Sequence, residues 1–314
     1  VLAVHADWSV AAGKRWMSVA WRAAGGGVWL VEAPGPVGDP ATLLSRLADR
    51  AGGQAVALGL DVPIGLPRAY AALHAREPDF PSFLRRLSER SGFLVPCAEL
   101  AELAPDRPFY PARGRAGMTR AAHAESLALR GAGELYRHCD RATRSRPGGA
   151  PLFWTLGANQ VGKAAIAAWR DVLLPALADA APPALWPFDG DLLELVAAHK
   201  MVIAETYPAE AMRQLGVRLS GGKTRQADRA AAGAALHAAL RAAGGHASAS
   251  LAGAIAAGFG PEHGQDDGFD SLLGVLCVIG VLDRRRPDGI PADPWLRRWE
   301  GWVLGQTDMP TAPP

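Results

Sequence analysis

The stretch Ala55-Val-Ala-Leu-Gly-Leu-Asp61-Val-Pro-Ile-Gly-Leu-Pro67 reads as a buried strand that ends in an acid and cannot continue. Small and apolar residues precede Asp61, and Pro63 and Pro67 lack the backbone donors that a ladder needs. Upstream, Asp39 followed by Pro40 is a helix start, a capping carboxylate with proline at the first helical position. Leu43, Leu44, Leu47 and Ala51 then recur on one face, and Gly52 and Gly53 stop the helix. Before it, Val1 to Ala6, Arg15 to Trp21 and Val28 to Val31 read as three strands separated by turns of small residues. The order is β-β-β-α-β. A strand-helix-strand unit favours a right-handed crossover that lays the fourth strand parallel to an earlier one. With the first strand as its neighbour, Asp7 and Asp61 stand side by side, roughly 4.8 Å apart, at the edge where parallel sheets bind ligands.

Further along, Met201-Val-Ile-Ala-Glu205-Thr-Tyr-Pro208 reads as another strand ending in an acid, followed by a helix from Pro208 to Leu215 closed by Gly216. In this reading Glu205 mirrors Asp61. Thr224 to Ala243 forms one alanine-rich helix with a stop at Gly244 and Gly245. A last core helix begins around Asp267 and carries Phe269, Leu272, Leu273, Leu276, Ile279 and Leu282 at helical spacing, so Asp267 and Asp270 share one side of its first turn. The expected class is α/β: a mixed five-stranded sheet, a meander then parallel strands, flanked by helices. Its core comprises residues 1–61 and 201–284. Residues 62–200 form a large, mostly helical insertion, and 285–314 an extension packed on the core through Trp295, Trp299 and Trp302.

Asp7, Asp61, Glu205 and Asp270 thus lie at the ends of core elements. Four convergent acids repel one another unless their pKa values rise or a cation sits among them. Oxygen-only ligation suits Mg²⁺ or Mn²⁺. The dipole of the last helix gives Asp267 and Asp270 an alternative, purely structural reason to be there.

The 314 residues, 49% hydrophobic, suffice for a sizeable core, and a net charge of +2 argues against global attraction to nucleic acid. Cys97, Cys139 and Cys277 are scattered without metal-binding spacing and read as reduced thiols of a cytoplasmic protein. Neither a signal peptide nor a membrane span is expected. Nine arginines lie between Arg107 and Arg146, Arg113 and Arg115 among them, against Glu125, Glu134 and Asp140. They suit either phosphate contacts or a solvated face.

Several segments together carry a resemblance. Asp7-Trp-Ser with Lys14-Arg-Trp16, Leu60-Asp61-Val-Pro-Ile-Gly-Leu-Pro67, Glu205-Thr-Tyr-Pro208, Lys223-Thr-Arg225 and Asp267-Gly-Phe-Asp270-Ser-Leu resemble the domain-of-unknown-function 429 family, whose members are regarded as predicted nucleases of RNase H-like fold. Asp267 to Leu272 is also similar to the final helix of RuvC-type resolvases. The resemblance implies a β-β-β-α-β-α-β-α core and phosphodiester hydrolysis of a nucleic acid, DNA or RNA, with two Mg²⁺ or Mn²⁺ ions. Asp7 would bridge the ions, Asp61 and Glu205 would each complete one coordination sphere, Asp270 would close the site, and Asp267 would be a further ligand. By their position Lys223, Arg225 and Arg229 suit either phosphate clamps or a charged helix start, with Arg113 and Arg115 as further candidate phosphate contacts. His263, near Asp266, suits a proton shuttle, a water-orienting group or a solvated loop residue.

Gly157-Ala-Asn-Gln-Val-Gly162-Lys163-Ala164 copies P-loop spacing but has alanine where the Mg²⁺-binding hydroxyl belongs. A non-hydrolytic nucleotide or phosphate binder on a related fold therefore stands as one alternative, and an interaction module with structural acids as another. No Gly-x-Ser-x-Gly elbow or His-Glu-x-x-His signature occurs.

Overall fold

The computed structural model describes residues 1–22, 26–90, 92–114, 116–156, 161–261 and 265–311. Among these, eight strands form one mixed sheet: β1 Leu2–Asp7, β2 Trp16–Trp21, β3 Trp29–Val31, β4 Gly35–Pro36, β5 Val56–Leu60, β6 Ala184–Leu185, β7 Met201–Glu205 and β8 Gly245–Ala247. Their spatial order is β6-β7-β5-β1-β2-β3-β8, with β4 beside β2. β1 runs antiparallel to β2 and parallel to β5, and β5 runs parallel to β7.

The sheet therefore exceeds the expected five strands. β6 and β8 are two and three residues long and add to the two edges, while Gly35–Pro36 pairs with β2. These pieces are too short for an alternating pattern to emerge. Residues 224–243, expected as one helix, form Gln226–Ala231 and Gly233–Ala242, separated at Ala232. Asp39 caps as its chemistry dictates, accepting from Ala41 N at 3.0 Å, ahead of a 3₁₀ turn and the helix Leu43–Ala51.

All six residues of β1 and all five of β5 are buried, because helical layers cover both faces of the sheet. Alternate side chains enter different cores. Leu2, Val4, Ala6, Leu58, Leu60 and Ile203 pack with the helix Leu43–Ala51 and with Phe80, Phe83, Phe153 and Trp169 of the insertion. Ala3, Ala20, Ala57, Val202 and Ala204 pack with the final helix, Gln265–Leu282, and with Leu236 and Leu240. The insertion is thus one whole layer of the domain and also contributes β6. The C-terminal segment joins both cores through Trp299 and Trp302.

The final helix lies close to β1. A Cβ placed on Gly274 would come within 2.2 Å of the His5 ring, and Ser271 Oγ meets Ser18 Oγ at 3.0 Å. His5 is fully buried, with Nδ1 at 2.7 Å from Thr206 Oγ1 and a pKa pushed down to about 3 by burial, so it packs as a neutral ring. Gly274→Val is expected to destabilise the chain by about 1–3 kcal/mol through overpacking. Urea denaturation measures this, and an unchanged midpoint would mean that the helix does not need this approach.

Candidate active site

Register fixes where the acids point. Ala6 pairs with Leu60, and Asp61 N donates to Ala6 O at 3.1 Å, so Asp7 and Asp61 are neighbours one residue beyond. Period-2 alternation turns Asp7 toward the final helix, the side that Ala3 and His5 face. The Gly274 contact brings the first turns of that helix over the strand ends, and Asp270 and Asp267 join Asp7 and Asp61 around a single cavity of about 800 Å³.

Glu205 also lines this cavity but faces the other way. Its partner in β5 is Leu60, not Asp61. A one-residue offset exchanges the faces of a sheet, so Glu205 points with Leu60 toward the insertion layer and the residue level with Asp61 is Thr206. There Glu205 meets Arg137. Glu205 Oε2 accepts from Arg137 Nη1 at 2.6 Å and from Ile64 N at 2.7 Å, and Oε1 accepts from Arg137 Nη2 at 2.6 Å. Arg137 is fully buried and also donates to both Asp140 oxygens, at 2.8 and 2.9 Å, and to Glu300 O at 3.2 Å. Cys139, Asp140 and Glu205 place ligand atoms within 4.8 Å of one another, a spacing compatible with metal binding. The guanidinium already supplies a positive charge to both carboxylates.

Among the described residues, no ion pair neutralises Asp7, Asp61 or Asp267. Burial first, then Asp61, Asp270 and Asp267, hold the Asp7 carboxyl well above its ordinary range. Burial raises Asp61 to about 7, and burial with neighbouring Asp266 raises Asp267 to about 6. Burial also raises Asp270, opposed by Lys223, whose ammonium pairs with it. Burial disfavours that ammonium, but Asp270 and Asp7 outweigh the effect and keep it charged. Asp267 Oδ2 is buried with no hydrogen-bond partner.

The expected phosphate contacts divide. Lys223 reaches the cavity, whereas Arg225 is exposed and paired with Asp228 at 2.6 Å. Arg229 is buried, and its guanidinium donates to Lys223 O at 2.5 Å, Gly260 O at 2.8 Å and Gly258 O at 2.9 Å. All three of its nitrogens bond backbone carbonyls and it does not line the cavity, so it positions the Lys223 loop where a phosphate clamp was expected. Arg113 is exposed and lies outside the cavity lining. Arg115, His263 and residues 157–160 of the P-loop-like segment lie outside the described residues. The arginine-rich run serves the fold at several points: Arg137 is spent as above, Arg130 pairs with Glu134, and Arg146 bonds Cys139 O and Gln306. Arg137 escaped sequence reasoning because nothing local distinguishes it from the other arginines of that run, and its partner lies 68 positions away.

Fold and cavity define a mixed α/β protein whose acids gather at the C-terminal ends of parallel strands. Residues 7–294 match the family model described as protein of unknown function DUF429, and the chain belongs to that family. No curated protein and no solved structure gives a match. Among the described residues, no helix is long and apolar enough to cross a membrane.

Two outcomes follow from the charges. Arg137→Ala leaves Glu205 and Asp140 buried without a counter-charge and is expected to cost about 3–5 kcal/mol; a loss below about 1 kcal/mol in urea denaturation would contradict a structural role for this network. Asp61 holds its proton to about pH 7 when folded but only to its ordinary 3.8 when unfolded. The folded state then binds more protons between these values, so without divalent ions stability falls as pH rises through this window. Asp61→Asn should lose less stability than the parent between pH 4.5 and 8, and parallel pH profiles would refute the assignment.

Proposed function

We propose that this chain is a divalent-metal-dependent phosphodiester hydrolase with an RNase H-like core, acting on nucleic acid. The observation that carries this reading is the meeting of Asp7 and Asp61, on adjacent parallel strands, with Asp267 and Asp270 of the final helix around one cavity. The residues fit a metal. Four carboxylates offer an all-oxygen donor set that suits Mg²⁺ or Mn²⁺. The buried Oδ2 of Asp267 has no internal partner and is free to coordinate a cation, and burial together with neighbouring acids raises Asp7 and Asp61, a charge problem that a cation would relieve. Asp7, Asp61, Asp267 and Asp270 would hold the ions, and Glu205 would serve as the anchor that Arg137 makes of it. Bound ions would activate water and stabilise the leaving oxygen. Lys223 stands beside Asp270, where a substrate phosphate would find a cation held in place by the Arg229 contact to its backbone.

Titration calorimetry with Mn²⁺, together with cleavage of labelled oligonucleotides, tests the assignment. Asp7→Asn is expected to abolish the acid-dependent heat and to reduce cleavage by about two orders of magnitude or more. Glu205→Gln should keep Mn²⁺ binding while lowering stability. Undiminished Mn²⁺ binding and cleavage in Asp7→Asn would overturn the metal site.

A further inference from the structure

The cavity is lined from several parts of the chain at once. Asp140, Ala150 and Ala164 of the insertion line it together with the aspartates, so the layer that covers one face of the sheet also borders the site. Above it runs the loop that follows β1. Trp8, 5% exposed, lines the cavity there, and its ring lies under the Arg15 guanidinium at 4.5 Å. Arg15 also donates to Ser9 O at 2.6 Å and to Val10 O at 3.1 Å, which fixes the loop as a wall. At its end Lys14 is exposed and lines the cavity, and its ammonium makes no hydrogen bond or ion pair among the described residues, although its charge acts on Asp267.

Resting on the hydrolase reading above, we propose that the cavity admits a single nucleoside phosphate unit, presented at the end of a strand, and excludes internal positions of a duplex. A volume of about 800 Å³ lies within the range that encloses one small ligand. Its chemistry is divided as such a unit requires. The aspartates with Lys14 and Lys223 supply charge for the phosphate, and Val10, Ala150 and Ala164 supply an apolar wall against which a base can lie. A duplex carries its phosphates on the outside of a stacked cylinder, which a cavity of about 800 Å³ cannot enclose.

The test is calorimetry on the full chain in saturating Mn²⁺, with a nucleoside 5′-monophosphate, a linear single strand and a covalently closed circular duplex as probes, followed by cleavage of the last two. Monophosphate binding, competition between it and the linear strand, and release of single nucleotides from the linear strand only are expected. Ala150→Phe and Ala164→Phe, both at half-buried positions on the wall, should each weaken monophosphate binding by about tenfold. Absence of monophosphate binding, affinity unchanged in both variants, or cleavage of the closed circle as fast as the linear strand would overturn the proposal. Mn²⁺ titration without nucleotide separates the two readings: heat from Mn²⁺ with no monophosphate binding sinks this inference and leaves the metal site standing.

Discussion

The closeness of the final helix to β1 governs the rest of the architecture. Helices usually stand off a sheet by the depth of their side chains, but here Gly274 lets the helix backbone approach the His5 ring, and Ser271 meets Ser18 across the same seam. The arrangement has a cost, since His5 Nε2 is buried without a hydrogen-bond partner. In return the first turns of the helix reach the strand ends, where Asp267 and Asp270 close over Asp7 and Asp61. A helix standing one methyl group farther out would leave two pairs of acids facing each other across a wider gap.

Alternation along the strands then sorts the acids by task. Asp7 and Asp61 share a level and a face, and they are left without a buried counter-charge. Glu205, one level lower on β7, turns to the opposite face and is neutralised by Arg137. The same guanidinium binds Asp140 and the carbonyl of Glu300, so a single buried side chain ties the sheet, the insertion and the C-terminal segment together. Strand-end acids of similar appearance in the sequence therefore divide into a pair without an arginine partner and one acid neutralised by arginine, and register sets which face each takes.

Much of this was legible in the residues. Apolar runs ending at Asp7, Asp61 and Glu205, the Asp39-Pro40 start and the periodic Phe269 to Leu282 segment each announce their element, because local physics suffices to form them. The side-by-side placement of Asp7 and Asp61 followed from the crossover rule. The face of Glu205 was hidden, because it depends on which residue of β5 lies opposite, a pairing that the run Met201–Glu205 does not encode by itself. The roles of Arg229 and Arg137 were hidden for a related reason: their acceptors are carbonyls and carboxylates brought near only by the finished fold. The short edge strands β6 and β8 owe their conformation to neighbours more than to their own composition.

The order in which the acids occur along the chain also has a temporal meaning. Asp7 is made at the outset of this sequence and Asp270 only after the sheet, the insertion and most helices have been synthesised. A ribosome-bound chain holding the first two acids still lacks the helix that completes the pocket. The charge cluster thereby stays incomplete until that helix is made, and a shorter fragment holds no assembled acid pocket.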